Sequence, residues 1–153
     1  MRRIAILSLV AFAAACSSKP APPPPAPVVK ATPVPTPPPP PAVGTVTLGN
    51  AIGADKSVAA ALETFGVKDT IYASVATTGT GHVKLRALWS FVRGEKTAKV
   101  NETTMEFEST GPATNEFHVE NAKGWPKGDY RVEIFLGDDA AAPAAVTKTF
   151  KVQ

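Results

Sequence analysis

Three textures of apolar and polar residues follow one another along this chain. Ile4 to Ala15 is an unbroken apolar and small-residue run of twelve positions, interrupted only by Ser8. From Lys19 to Ala42 there is no periodicity, because proline dominates. From Val43 onward the pattern changes to short alternating runs separated by Gly, Pro, Asn and Asp, which predicts β-strands. Val43–Leu48 opens this part. Asp69–Thr77 follows, with Ile71, Ala73 and Val75 on one face and Tyr72, Ser74 and Ala76 on the other. His82–Val92 is the longest predicted strand, burying Val83, Leu85, Ala87, Trp89 and Phe91. Arg93–Lys96 predicts a hairpin turn into Thr97–Ser109, where Met105 and Phe107 point inward and Glu102, Glu106 and Glu108 outward. Asn115–Glu120, Gly128–Leu136 and Val146–Val152 complete the set. In Asn50–Val67 the spacing of Val58, Leu62 and Phe65 fits either a short helix or an extended segment packed on one edge.

About seven strands without interleaved helices predict an all-β, antiparallel sandwich. Trp89 stands in mid-strand, where such a core would centre. Gly128-Asp129-Tyr130-Arg131-Val132 resembles the tyrosine corner of immunoglobulin-like and fibronectin-III-like domains, with Val132 in place of a cysteine. Asp69–Val75, Trp89 and Gly124–Tyr130 together resemble a small β-sandwich domain of proteobacterial lipoproteins and secreted proteins, a likeness that implies fold and address and no activity. Trp125-Pro126 is suited to cover one end of that sandwich.

The apolar run has its own chemistry. Met1-Arg2-Arg3 supplies a positive start, and twelve residues fall short of the roughly 20 that a helix needs to cross a bilayer. Ala13-Ala14-Ala15-Cys16 resembles the lipobox of bacterial lipoprotein signal peptides, departing from it at Ala13, where leucine or valine is usual. The resemblance implies cleavage before Cys16, lipidation of that thiol (the palmitate-type acyl chains of lipoproteins), and a membrane anchor made stable by more than one chain. Ser17 follows where aspartate would retain such a protein at the inner membrane, so the expected address is the periplasmic face of the outer membrane. An ordinary secretory cut near Ala15 is the alternative. The expected organisation is a signal peptide over 1–15, lipidated Cys16 with a proline-rich linker over 16–42, and the sandwich over 43–153.

Thirteen of the 16 prolines lie between Pro20 and Pro41. They favour polyproline II, and the 24 residues from Lys19 to Ala42 would reach on the order of 70 Å if fully extended. A stalk or a passive tether fits better than a docking motif. The formal charge of +3 belongs mostly to this N-terminal part. From Val43 onward, 12 Lys/Arg stand against 13 Asp/Glu, a net of −1. With no basic excess and no Lys/Arg run to follow a phosphate backbone, a nucleic-acid partner is not expected. The single cysteine leaves no intrachain disulfide, so the domain must be held by its core.

Candidate chemistry is sparse. His82 and His118 fall on outward registers, and no Cys/His cluster of zinc type is present. Met105 with His118 could contribute to a copper site, but a core methionine and a surface histidine explain both residues. No nucleophile elbow, phosphate-binding loop or dinucleotide fingerprint occurs, so neither catalysis nor a cofactor is expected. Outward-facing apolar or aromatic residues are the candidates for recognition: Tyr72, Leu88 and Phe135, with Trp125 ambiguous between surface and core. Leu88 either lies under a loop or is an exposed apolar residue. The expected function is that of a non-enzymatic, lipid-anchored periplasmic accessory module contacting an envelope protein. A spacer held against peptidoglycan is the alternative, and a third is a hydrolase inhibitor using Thr110–Asn115 or Gly137–Pro143.

Overall fold

The structure, a computed structural model, describes residues 37–139 and 141–153; the signal-peptide region, Cys16 and most of the linker lie outside the described residues. It is all-β. Eight strands run in chain order: β1 Ala42–Gly49, β2 Thr64–Phe65, β3 Ile71–Thr78, β4 Thr80–Arg93, β5 Lys96–Thr110, β6 Ala113–Val119, β7 Gly128–Leu136 and β8 Val146–Val152. They form two sheets, one ordered β1-β3-β6 and the other β2-β8-β7-β4-β5. All pairings are antiparallel except β2 with β8.

The core lies between the sheets, and alternation puts it there. Ile71, Ala73 and Val75 of β3 and Val83, Leu85, Ala87 and Trp89 of β4 are all buried, as are Val132 and Ile134 of β7. Trp89 packs edge-on to Phe150 at 6.0 Å, and Phe150 stacks on Tyr130 at 5.4 Å. Burying a large aromatic of this kind stabilises strongly; truncating one to alanine costs about 3–5 kcal/mol. The Tyr130 hydroxyl donates to the Pro126 carbonyl at 2.8 Å, the bond the corner motif anticipates. Burial raises the pKa of that phenol. Gly128 has φ +149°, and a Cβ there would meet the Phe91 ring at 2.8 Å, so only glycine lets the strand start this close to β4.

The segment from Asn50 to Val67 is extended, with no helix. The helical spacing of Val58, Leu62 and Phe65 is overridden by local hydrogen bonding. Asp55 accepts from the Ser57 N–H and hydroxyl, the Gly53 N–H donates to Ser57 O while Gly53 O accepts from the Lys56 N–H, and Ile52 bridges Val58. Leu62 N–H then donates to Leu48 O, and Phe65 is carried into the core as part of β2. This two-residue strand accounts for the eighth element.

The long β4–β5 hairpin contains one irregularity. Arg93 pairs with Lys96 and Ser90 with Lys99, but Trp89 pairs with Asn101, leaving Val100 as an extra residue on β5. The bulge shifts the register by one for the rest of the hairpin. Val100 is also the one large hydrophobic residue classed as exposed among the described residues.

Candidate functional site

The two outer faces of the sandwich carry the candidate surface residues, and they are built differently. On the five-stranded sheet, β4 presents His82, Lys84, Arg86 and Leu88, β5 presents Glu102, Glu106 and Glu108, and β7 presents Arg131, Glu133 and Phe135. Because Val100 is bulged out, Lys84 falls opposite Glu106 and His82 opposite Glu108. Lys84 Nζ lies 2.8 Å from both Glu106 Oε1 and Asp138 Oδ1. Hydrogen bonding to Asp138 first, then to Glu106, raises the Lys84 pKa, and the same ammonium lowers that of Asp138. Arg86 Nη1 reaches Glu102 Oε1 at 3.0 Å and Lys99 Nζ reaches Glu102 Oε2 at 3.1 Å, which together lower the Glu102 pKa. The three glutamates expected from sequence to point outward are thus each matched to a cation or a histidine across the hairpin.

Phe135 and Leu88 sit within this charged lattice. The Arg86 guanidinium lies 4.0 Å from the centre of the Phe135 ring, directly opposite it in register. That stacking covers one face of the ring and leaves Arg86 bound to both an aromatic and a carboxylate. Leu88 is half-buried and stands between Glu102 of β5 and Glu133 of β7.

On the three-stranded sheet the outward positions form a grid of mostly small side chains. Tyr72 has Gly49 on one side and His118 on the other; Ser74 has Thr47 and Glu116. The Tyr72 and His118 rings are 5.6 Å apart and tilted by 44°, and His118 Nδ1 lies 2.7 Å from Glu116 Oε1. Glu116 is the only acid in this grid.

Trp125 is buried and belongs to neither face. Its indole N–H donates to Asp69 O at 2.8 Å, its backbone N–H donates to Val67 O, and its ring meets Tyr130 edge-on at 5.7 Å. It closes one end of the core, as the Trp125-Pro126 pair suggested, and offers no side chain to a partner. Tyr72, Leu88 and Phe135 are half-buried, with Tyr72 on one outer face and the other two on the opposite one. Met105 packs against the core from β5 while His118 is exposed on β6, so the two are not brought together.

A cleft of about 580 Å³ opens between β1 and β8 and is lined by buried Val46 and Leu48 and by exposed Glu63 and Lys148. Among the described residues, no group of three or more His, Cys, Asp or Glu side chains converges. What sequence reasoning missed is the Arg86–Phe135 stack and the ion-pair lattice. The alternation of cations on one strand and acids on the next was visible, but the bulge that aligns them was not.

No protein-family model and no curated protein matches the chain. Solved structures similar to it include a β-glucosidase from Erythrobacter marinus, at 10% identity and TM-score 0.47 over 74% of this chain. A β-glucosidase involved in saponin metabolism from intestinal bacteria is similar at 17% identity and TM-score 0.45 over 74% of this chain. The β-glucosidase of Listeria innocua in complex with glucose is similar at 8% identity and TM-score 0.43 over 71% of this chain. The chain spans only 15–16% of the length of these proteins.

Proposed function

We propose that this protein is a non-enzymatic, lipid-anchored accessory module of the bacterial envelope, held in the periplasm by acyl chains on Cys16. The sandwich is of the immunoglobulin or fibronectin-III type. Supporting that type are the strand order β1-β3-β6 facing β8-β7-β4-β5 and the Tyr130–Pro126 hydrogen bond. One observation carries the functional reading: a cysteine ending an apolar run, a proline tract and a β-domain follow in that order along the chain. The ion pairs on the five-stranded face add support, since they engage one another and frame an apolar pair, Leu88 and Phe135, on which a protein partner could rest.

Cys16→Ser tests the anchor. The parent should pellet with membranes and carry acyl mass on its N-terminal peptide, and the serine variant should move to the soluble fraction without it. Equal pelleting of both forms without acyl mass in either would defeat the proposal. A photo-crosslinking residue at Phe135 in the anchored protein should then capture a discrete envelope protein, and one at Lys56 should not.

A second reading, a spacer held against peptidoglycan, is favoured by the three-stranded outer face. Its threonine side chains and the aromatic ring of Tyr72 suit the sugar rings of a glycan strand. Co-sedimentation with purified sacculi, lost in Tyr72→Ala, separates this reading from the first.

A further inference from the structure

At one end of the sandwich β4 runs past its neighbour. Its first residue, Thr80, pairs with Thr110 of β5, but pairing with β7 begins only at Leu85, opposite Leu136. Residues 80–84 therefore have a sheet partner on one side alone. At Lys84 the open edge is closed by the Gly137 N–H, which donates to Lys84 O at 2.9 Å. At Thr80 the partner comes from the proline tract: the Thr80 N–H donates to Pro39 O at 3.1 Å. A proline carbonyl accepts such a bond, while its ring nitrogen offers no donor in return, so the sheet is capped there and not extended.

The backbone beside Thr80 is shaped for this contact. Gly79 has φ +84° and is buried. A Cβ on it would fall on the Pro40 carbonyl and come within 2.8 Å of Pro41 N. The Gly79 carbonyl is held by the buried Ser109 hydroxyl at 2.8 Å, which also lies 3.0 Å from Gly111 O. Behind it, Asn115 Nδ2 donates to Thr77 Oγ1 at 3.1 Å, and that hydroxyl donates to Ala113 O at 3.3 Å. Ser109, Thr77 and Asn115 make up three of the five buried polar residues, and all three brace this one end. Buried polar side chains are costly unless bonded, and here they hold the inter-sheet link in the form that receives the prolines.

We infer that Gly79-Thr80, braced by Ser109, is a binding site for an extended proline segment, filled in cis by Pro39-Pro40-Pro41. The recognition elements are one backbone N–H for a proline carbonyl and a side-chain-free surface against which the next carbonyl lies. Pro39, Pro40 and Pro41 consequently lie against the sandwich at the Thr78 end of β3. Trp125, bonded to Val67 and Asp69 just before β3 begins, closes the opposite end. The site stands whether or not Cys16 carries lipid.

The test is amide hydrogen exchange by NMR on the full chain carrying Cys16→Ser, with the Thr80 rate taken relative to that of Val132 in the core. Replacing Pro39, Pro40 and Pro41 together by glycine should raise this ratio at least about tenfold, by opening the Thr80 amide locally. Ser109→Ala, which leaves the prolines intact, should raise it by a smaller factor, about two- to fivefold. An unchanged ratio in the triple variant, or a Thr80 amide in the parent that exchanges like an unstructured one, would overturn the assignment. Because the measurement uses the unanchored form, failure of the lipid proposal leaves its outcome unaffected.

Discussion

The two outer faces of this sandwich use opposite strategies to sit in water. The five-stranded face is wired: Lys84 with Glu106 and Asp138, Arg86 with Glu102, Lys99 with Glu102, Arg131 with Glu133. The three-stranded face carries Thr47 and Thr114, with buried Ser74 and Gly49 beside them, where the other has ions, and Tyr72, His118 and Glu116 at one corner. A wired face depends on register, because a one-residue slip parts the pairs that cross from β4 to β5. A face of small residues depends on shape and is indifferent to salt. The difference teaches that the two sheets, though they share one core, should respond to different perturbations.

Deleting Val100 should separate them most. Without the bulge, the Arg93–Lys96 register would run through the hairpin and set Lys84 opposite Met105 instead of Glu106. Loss of the lattice together with misplacement of Met105 and Phe107 should cost about 3 kcal/mol or more, read by urea denaturation. Survival of the parent's stability would show that the bulge is dispensable and the lattice incidental. Tyr72→Ala comes next. It removes a half-buried ring packed on His118, and should cost about 1–2 kcal/mol with no change in salt dependence, which sharpens the contrast.

Leu88→Asp should cost about 1 kcal/mol, because a third carboxylate would stand between Glu102 and Glu133, whereas Leu88→Lys should be close to neutral. Equal effects of the two would mean that apolar cover, not charge, is what matters at this position. The smallest effect is in acid. Glu102 and Asp138 have folded-state pKa values below their ordinary ones. Each therefore contributes stability that is present above the usual carboxylate pKa and is lost as pH falls through the depressed value. The acid limb of the stability curve, below about pH 4, should be shallower in Arg86→Ala, which frees Glu102 from its largest cause of depression. These groups are exposed and screened, so the change should be small and should shrink further in salt. Lys84, raised instead, loses its contribution only as pH climbs past the usual lysine range.

Much of the fold was legible in the sequence. Alternation located β3, β4, β6, β7 and β8 and the inward residues of each, because a half-buried sheet writes a period of two into any strand that forms it. The Tyr130–Pro126 bond was legible too, since a donor at Tyr130 and an acceptor four residues earlier can meet locally. Trp125 was legible only in part: the Trp125-Pro126 pair suggested an end cover, but its burial depends on Val67 and Asp69, more than 50 residues away in the chain. The path of Asn50–Val67 was equally hidden, because Val58, Leu62 and Phe65 repeat at a helical spacing while Asp55 and Gly53 bend the backbone otherwise.

By itself, then, the sequence determined that seven of the eight strands form, which of their residues face inward, and that the domain stands on core packing without an intrachain disulfide. Each of these follows from local pattern and composition. Only the tertiary structure decided that Val100 is bulged, that Arg86 stacks on Phe135, and that the prolines at 39–41 close the edge of β4 at Thr80. Those outcomes depend on which strand lies beside which and in what register. That choice is made by contacts distant in the chain, and no nearest-neighbour pattern encodes it.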